Sequence, residues 1–284
     1  MEPIRIGANL SMDKIDEIIE KYPLNKKINI DKEDYNDRLI YSFSLGKWKF
    51  LDEISLYNSL ANLIQDIMLK IYSKNLISAR VNKLLKDFPK SKKEEIIDGA
   101  YKLLIENDFH EIEKAIINNE ILEYLIENNT LMIDGYLRFR SKSLNALIDS
   151  AIDIIITHLQ MESEYEEFIN MLQYYVDSQI PKLEVVHVVI KDGKFDMMDQ
   201  DGNKIKTTTV TDIAEDFFFD DITQSDILVS SLIVLSPIRI IMHVEDGAEK
   251  ELVEVLKQIF RERLVFCKGC NICNLNLVNN IHKE

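Results

Sequence analysis

A chain of 284 residues, 46% hydrophobic and 29% charged with eight glycines and five prolines, has globular rather than disordered or fibrous composition and is long enough for two compact units. Its 34 Lys and Arg against 49 Asp and Glu leave a net charge of −15, a field that repels nucleic-acid phosphates and anionic membrane surfaces. Three cysteines, an odd number, and an opening Met1-Glu2-Pro3-Ile4-Arg5-Ile6 without the basic and apolar pattern of a secretory signal point to a reducing, cytoplasmic setting with no disulfide framework.

Residues 1–50 read as a small α/β piece. Residues 3–8 fit a short strand. Residues 11–22 fit a helix with Ile15, Ile18 and Ile19 on one face, and residues 38–45 a strand with Leu39, Tyr41 and Phe43 on one side. Residues 51–180 read as a helical region. Leu56, Leu60, Leu63, Ile64, Ile67 and Ile71 recur at helical spacing, which predicts a helix from about Asp52 to beyond Tyr72. After Pro89, Ser91-Lys92-Lys93-Glu94 has the pattern of a capping box. Further helices are predicted over residues 111–128, 143–159 and 163–178. The last would bury Tyr165, Phe168, Ile169, Leu172 and Val176 and stop at Pro181.

Residues 181–267 read as an α/β domain, because the hydrophobic period drops from 3.6 to 2. Residues 185–190 are an apolar run of the kind covered on both faces. Asp192-Gly193 marks a hairpin turn, Phe195 and Met197 alternate on the return strand, and Asp201-Gly202 precedes a third strand at residues 205–210. This predicts a three-stranded meander. Thr223 and Asp226 then open a helix to Leu235. A strand at 238–243, a helix at 248–261 and a strand at 264–267 make a parallel β-α-β unit. The apolar segment 227–244 is about long enough to span a membrane, but Pro237 splits it and Arg239 would cost at least about 2.5 kcal/mol in hydrocarbon. A helix followed by a buried strand accounts for it. The fold class is therefore α+β, a central helical region between two α/β pieces.

Residues 268–284 form a cysteine-containing tail. Cys267, Cys270 and Cys273 fall within seven residues, and Gly269 lets the backbone turn between them. Thiolates at this spacing suit zinc or an iron–sulfur cluster; the bland alternative is a set of reduced free thiols. A structural zinc site needs four ligands. His243 and Cys267 would both lie at the C-terminal edge of the parallel sheet, which makes His243 the leading fourth ligand and His282 a rival. Against this stands the ordinary role of a lone histidine beside an apolar strand, packed or hydrogen-bonded in the core.

Other segments carry weaker chemistry. Arg138 and Arg140 alternate with aromatics in a pattern that could stack RNA bases, or could begin a helix with both arginines paired to carboxylates. Glu162, Glu164, Glu166, Glu167 and Asp177 read as a solvated helix face rather than a cation or acid–base site. Asp199-Gln-Asp201-Gly202-Asn203 has its glycine two places early for a calcium loop and reads as a turn. Asp216-Phe-Phe-Phe-Asp220 reads as a loop stapling the next helix. The chain has no glycine-rich phosphate loop, no Gly-x-Ser-x-Gly elbow and no His-Glu-x-x-His, so no catalytic residue is assigned.

The ordered set Asp134-Gly-Tyr-Leu-Arg-Phe-Arg140, Glu164-Tyr-Glu-Glu-Phe-Ile169, Gln179-Ile-Pro-Lys182, the Val-rich strand before Asp192-Gly193, and Cys267-x-Gly-Cys270-x-x-Cys273 resembles the YtxC-like sporulation proteins of endospore-forming Firmicutes, over residues 134–273. The resemblance implies a role in sporulation and a bacterial cytoplasmic setting, and it implies no reaction. The reading is a non-enzymatic, metal-stabilised protein that acts through contacts with other proteins, with no nucleic-acid or membrane partner. The alternatives are an iron–sulfur or zinc enzyme or redox protein using the same cysteines, and an RNA-binding module.

Overall fold

The computed structural model describes residues 2–9, 12–22, 28–35, 38–45, 51–106, 110–191, 194–205, 223–244 and 250–270. The fold is α+β. Two compact units are present, Met1–Gln160 and Met161–Glu284, each with its own hydrophobic core.

In the first unit, strands β1 (Ile4–Ala8), β2 (Ile28–Tyr35), β3 (Arg38–Leu45) and β4 (Thr130–Met132) form a sheet in the order β2-β3-β1-β4. β1 runs antiparallel to β3 and parallel to β4, so Ile6 has Tyr41 on one side and Leu131 on the other. Ile4, Ile6 and Ala8 with Leu39, Tyr41 and Phe43 are buried. They share one core with α1 (Met12–Lys21), α2 (Leu51–Ile67), α3 (Ser73–Leu84), α4 (Lys90–Glu106), α5 (Glu111–Asn128) and α6 (Ile133–Phe139). The predicted helix past Tyr72 is present, but Met68–Tyr72 is a π-helical turn that joins α2 to α3, with the Ser73 N–H donating to the Met68 carbonyl. The capping box at Ser91 does not form. α4 starts at Lys90, so Ser91 already lies in its first turn, and Lys93 N–H donates to the Pro89 carbonyl.

Helix α7 (Lys142–Ser178) runs unbroken for 37 residues where two helices were predicted. Leu159 to Ser163 contain no Gly or Pro to stop it. The apolar pattern shifts there because the helix changes core rather than conformation. Leu144, Leu147, Ile148, Ala151 and Ile152 serve the first core, Ile169 and Val176 the second. Tyr165 and Phe168, predicted inward, are 45% and 52% exposed.

The second unit holds a sheet in the order β6-β5-β7-β8, from β5 (Val185–Lys191), β6 (Lys194–Met198), β7 (Arg239–Val244) and β8 (Leu264–Phe266). β6 is antiparallel to β5; β5, β7 and β8 are mutually parallel. The hairpin register closes on Lys191 opposite Lys194; the predicted Asp192-Gly193 turn between them lies outside the described residues. An isolated bridge pairs Met198 with Lys204, and of the predicted third strand all but Ile205 lies outside the described residues. Asp201-Gly202 forms the intervening turn, where the Asp199 carboxylate accepts from the Asp201 and Asn203 N–H groups. A bond from the Asn203 side chain first, and those backbone bonds after it, hold the Asp199 carboxyl below the usual range. Helix α8 (Gln224–Leu235) has the predicted start: Thr223 and Asp226 exchange the two bonds of a capping box. It packs with α9 (Lys250–Phe260) and the end of α7 against Val186, Val188, Ile190, Ile240 and Met242. All these helices join one core on one sheet face; on the other face of β5 Val189 is buried and Val185 and His187 are half-buried.

Ser236 closes α8. It is fully buried at φ 42°, its hydroxyl donates to the Val176 carbonyl at 2.9 Å, and Arg263 Nη1 approaches that hydroxyl at 3.3 Å. Arg263 in turn pairs with Asp177 at 2.7 Å.

Leu256 is 0% exposed in the second core, so Leu256→Ala should cost about 2–5 kcal/mol in urea unfolding. Ile180→Ala, at an 88% exposed position, should change stability by no more than about 0.5 kcal/mol. In the first unit, Lys32 and then Tyr41 hold the Asp16 carboxyl below the usual carboxylate range. A depressed carboxyl stabilises the fold above its unfolded value of about 3.9, and that contribution is lost as pH falls through the lower folded value. Stability measured from pH 5 to pH 2 should therefore fall less steeply in Asp16→Asn; an unchanged slope would contradict the assignment.

Candidate metal centre

The sheet of the second unit alternates sides along every strand. On β7, Ile240 and Met242 enter the core, which puts Ile241 and His243 on the opposite face. The parallel register sets Val189 of β5 beside His243 and His187 beside Ile241, so the two histidines share that face as diagonal neighbours. On the other flank Ile241 pairs with Val265 and Met242 with Phe266. The chain then continues the ladder, since the Cys267 N–H donates to the Met242 carbonyl at 2.9 Å. Cys267 thereby arrives beside His243.

The next residues turn back. Gly269 has φ 114°, a conformation that residues with a Cβ rarely adopt, and its N–H approaches Cys267 Sγ at 3.4 Å. The turn brings Cys270 Sγ to 3.8 Å from His243 Nδ1. One ligand atom each from His243, Cys267 and Cys270 lies within 4.8 Å of the other two. His243 is 5% exposed and both thiols are half-buried. Burial first, and the nearby His187 second, push the His243 imidazole below its ordinary pKa. The neutral ring that results is the form that ligates a metal. Tetrahedral zinc with ordinary Zn–S and Zn–N bonds separates neighbouring ligand atoms by about 3.5–3.8 Å. The Cys270–His243 distance of 3.8 Å lies a few tenths of an ångström above the sulfur–nitrogen value of about 3.6 Å.

Of the residues expected at the site, His243, Cys267 and Cys270 are together, while Cys273 and the rival His282 lie outside the described residues. His187 was missed. Its Nδ1 lies 3.0 Å from His243 Nε2. The signal was in the chain: His187 interrupts an apolar strand, and a parallel partner strand carries its own histidine.

The Arg140 guanidinium sits over the Tyr124 ring at 5.2 Å and that of Arg138 over Phe139 at 5.5 Å, where the simplest reading had paired both with carboxylates. Glu162, Glu164, Glu166 and Glu167 lie on the exposed side of α7. Asp216 to Asp220 fall outside the described residues. Among the described residues, no helix is long and apolar enough to cross a membrane.

Gly269→Ala should strain the turn by about 1–3 kcal/mol and loosen the chain after β8. The readout is amide hydrogen exchange at Cys267, which should accelerate; an unchanged rate would show that the turn does not depend on glycine.

The sequence profile described as the YtxC-like family matches residues 58–265. The match reaches well upstream of residue 134, where the motif resemblance began. It includes His187 and His243 and ends two residues before Cys267. The uncharacterized protein YtxC of Bacillus subtilis (strain 168) is 24% identical over 155 residues, covering 53% of this chain and 53% of that protein. The chain thus spans about half the length of the curated relative it matches. No solved structure matches it. With the profile covering most of the chain, the protein belongs to the YtxC-like family.

Proposed function

We propose that Cys267, Cys270 and Cys273 with His243 hold one zinc ion, and that this ion fastens the C-terminal tail to the end of the sheet. The supporting observation is the approach of one ring nitrogen of His243 and the two described sulfurs to within 4.8 Å of one another. Cys273 follows Cys270 at the interval by which Cys270 follows Cys267, and supplies the fourth ligand. Four protein ligands close the coordination sphere, which favours a structural role over catalysis. The spacing also favours a single ion over a cubane iron–sulfur cluster, whose thiolates bind separate irons and must stand further apart. The RNA-binding alternative draws no support from Arg138 and Arg140, which rest on the protein's own aromatic rings.

On this reading the protein is a non-enzymatic cytoplasmic component of sporulation that acts through contacts with other proteins. The sporulation assignment rests on the family. Loss of the gene should lower the count of heat-resistant spores in a spore-forming host that carries it.

Protein purified without oxygen should contain about one zinc per chain by elemental analysis and show no visible absorbance. Each of Cys267→Ser, Cys270→Ser and Cys273→Ser should lower the zinc content sharply. Because thiolates must shed protons to bind, zinc should be released in acid, and chelation should free the tail before the rest unfolds. Stoichiometric zinc in the triple Cys→Ser protein would refute the site. A brown protein with iron and inorganic sulfide would replace zinc by a cluster.

A further inference from the structure

The two nitrogens of His243 face different partners. Nδ1 is 3.8 Å from Cys270 Sγ and Nε2 is 3.0 Å from His187 Nδ1. The two rings are inclined by 24° with centroids 5.2 Å apart, a separation taken up by the nitrogen–nitrogen contact and the two ring radii. They therefore meet edge to edge, as hydrogen-bonded imidazoles do, and not face to face. We propose that His187 is the positioning residue of the metal centre, accepting a hydrogen bond from His243 Nε2–H and so holding the His243 Nδ1 lone pair toward Cys267 and Cys270. The inference rests on the metal reading above and specifies how that site is organised.

The proton assignment follows from counting. A neutral imidazole carries one N–H. A nitrogen that gives its lone pair to a metal cannot hold the proton, so metal at Nδ1 puts the His243 proton on Nε2. The neighbour of Nε2 must then be an acceptor, which fixes His187 as neutral with its own proton on Nε2. The strands supply the rigidity. His187 and His243 stand on adjacent parallel strands with Ile241 and Val189 as their respective direct opposites, so their offset is set by backbone pairing before any ion arrives. Without His187, a ring flip of His243 would present Nε2 to the thiolates instead, and a buried N–H would lose its acceptor. Hydrogen-bonded partners of metal-bound histidines also raise ligand basicity, and their loss commonly costs 10- to 100-fold in metal affinity.

The test uses the full-length chain, zinc, and the variants His187→Leu and His187→Asn at one fixed pH. The asparagine amide stands close to where Nδ1 of histidine lies and can accept the same bond; leucine cannot. Zinc affinity, read by competition with a chromophoric chelator, should fall about 10- to 100-fold in His187→Leu and be largely restored in His187→Asn. Long-range proton–nitrogen NMR of the zinc-loaded wild type should show His243 protonated at Nε2 and metal-bound at Nδ1. Wild-type affinity in His187→Leu, equal weakening in both variants, or metal at Nε2 would overturn the proposal. Should the leucine variant not fold, the wild-type spectrum decides between Nδ1 and Nε2. If the wild type takes up no zinc, the metal reading fails. The metal-free spectrum then judges His187 separately: a His243 proton on Nε2 that is lost in the variant sustains the positioning role, and a proton on Nδ1 ends it.

Discussion

Parallel pairing of β7 with both of its neighbours is the constraint on which the second unit depends. A parallel strand cannot be joined to its neighbour by a tight turn, so each connection must leave the sheet and return as a helix. α8 fills the first return and α9 the second, and both bury their apolar sides against one face. The opposite face is thereby released from serving that core. β7 can place a buried histidine there, β5 a second histidine beside it, and the end of β8 a cysteine in line with both. Side-chain chemistry at the site is a by-product of strand order.

The same logic of one element serving two purposes recurs in α7. Its two halves are apolar on differently phased stripes because they answer to different cores, and no breaker separates them. The first unit is organised in the more usual way. A small sheet buries Ile4, Ile6, Tyr41 and Phe43 under helices, and its edge strand β2 is made of Asp31, Lys32, Glu33 and Asp34 beyond Ile30. Charges on an edge discourage pairing with a second sheet.

Much of this was legible from the residues. The apolar run 185–190, the Thr223–Asp226 cap and the strong one-sided pattern of α9 announced their elements directly. β2 was not legible, because an edge strand exposed along most of its length needs no apolar alternation. β4 is three residues long and shorter than any period can reveal. The false break in α7 arose from reading a change of partner as a change of conformation. At the site, His243 and the cysteines could be associated through chain topology alone, since both ends of parallel strands point the same way. His187 stood out only as a histidine interrupting an apolar strand; its pairing with His243 depends on a diagonal register that no local pattern encodes.

Ser236 shows how far one small residue can be pinned by unlike demands. Its left-handed backbone costs a non-glycine residue about 1–2 kcal/mol and calls for glycine. Its hydroxyl, fully buried between the Val176 carbonyl and the Arg263 guanidinium, calls for a side chain. Glycine would relax the chain but give up the bond to the Val176 carbonyl and the contact with Arg263; alanine would meet neither demand; threonine would crowd a left-handed site with a branched Cβ. Few amino acids satisfy both requirements at once, so this position, silent in any motif, tolerates little change.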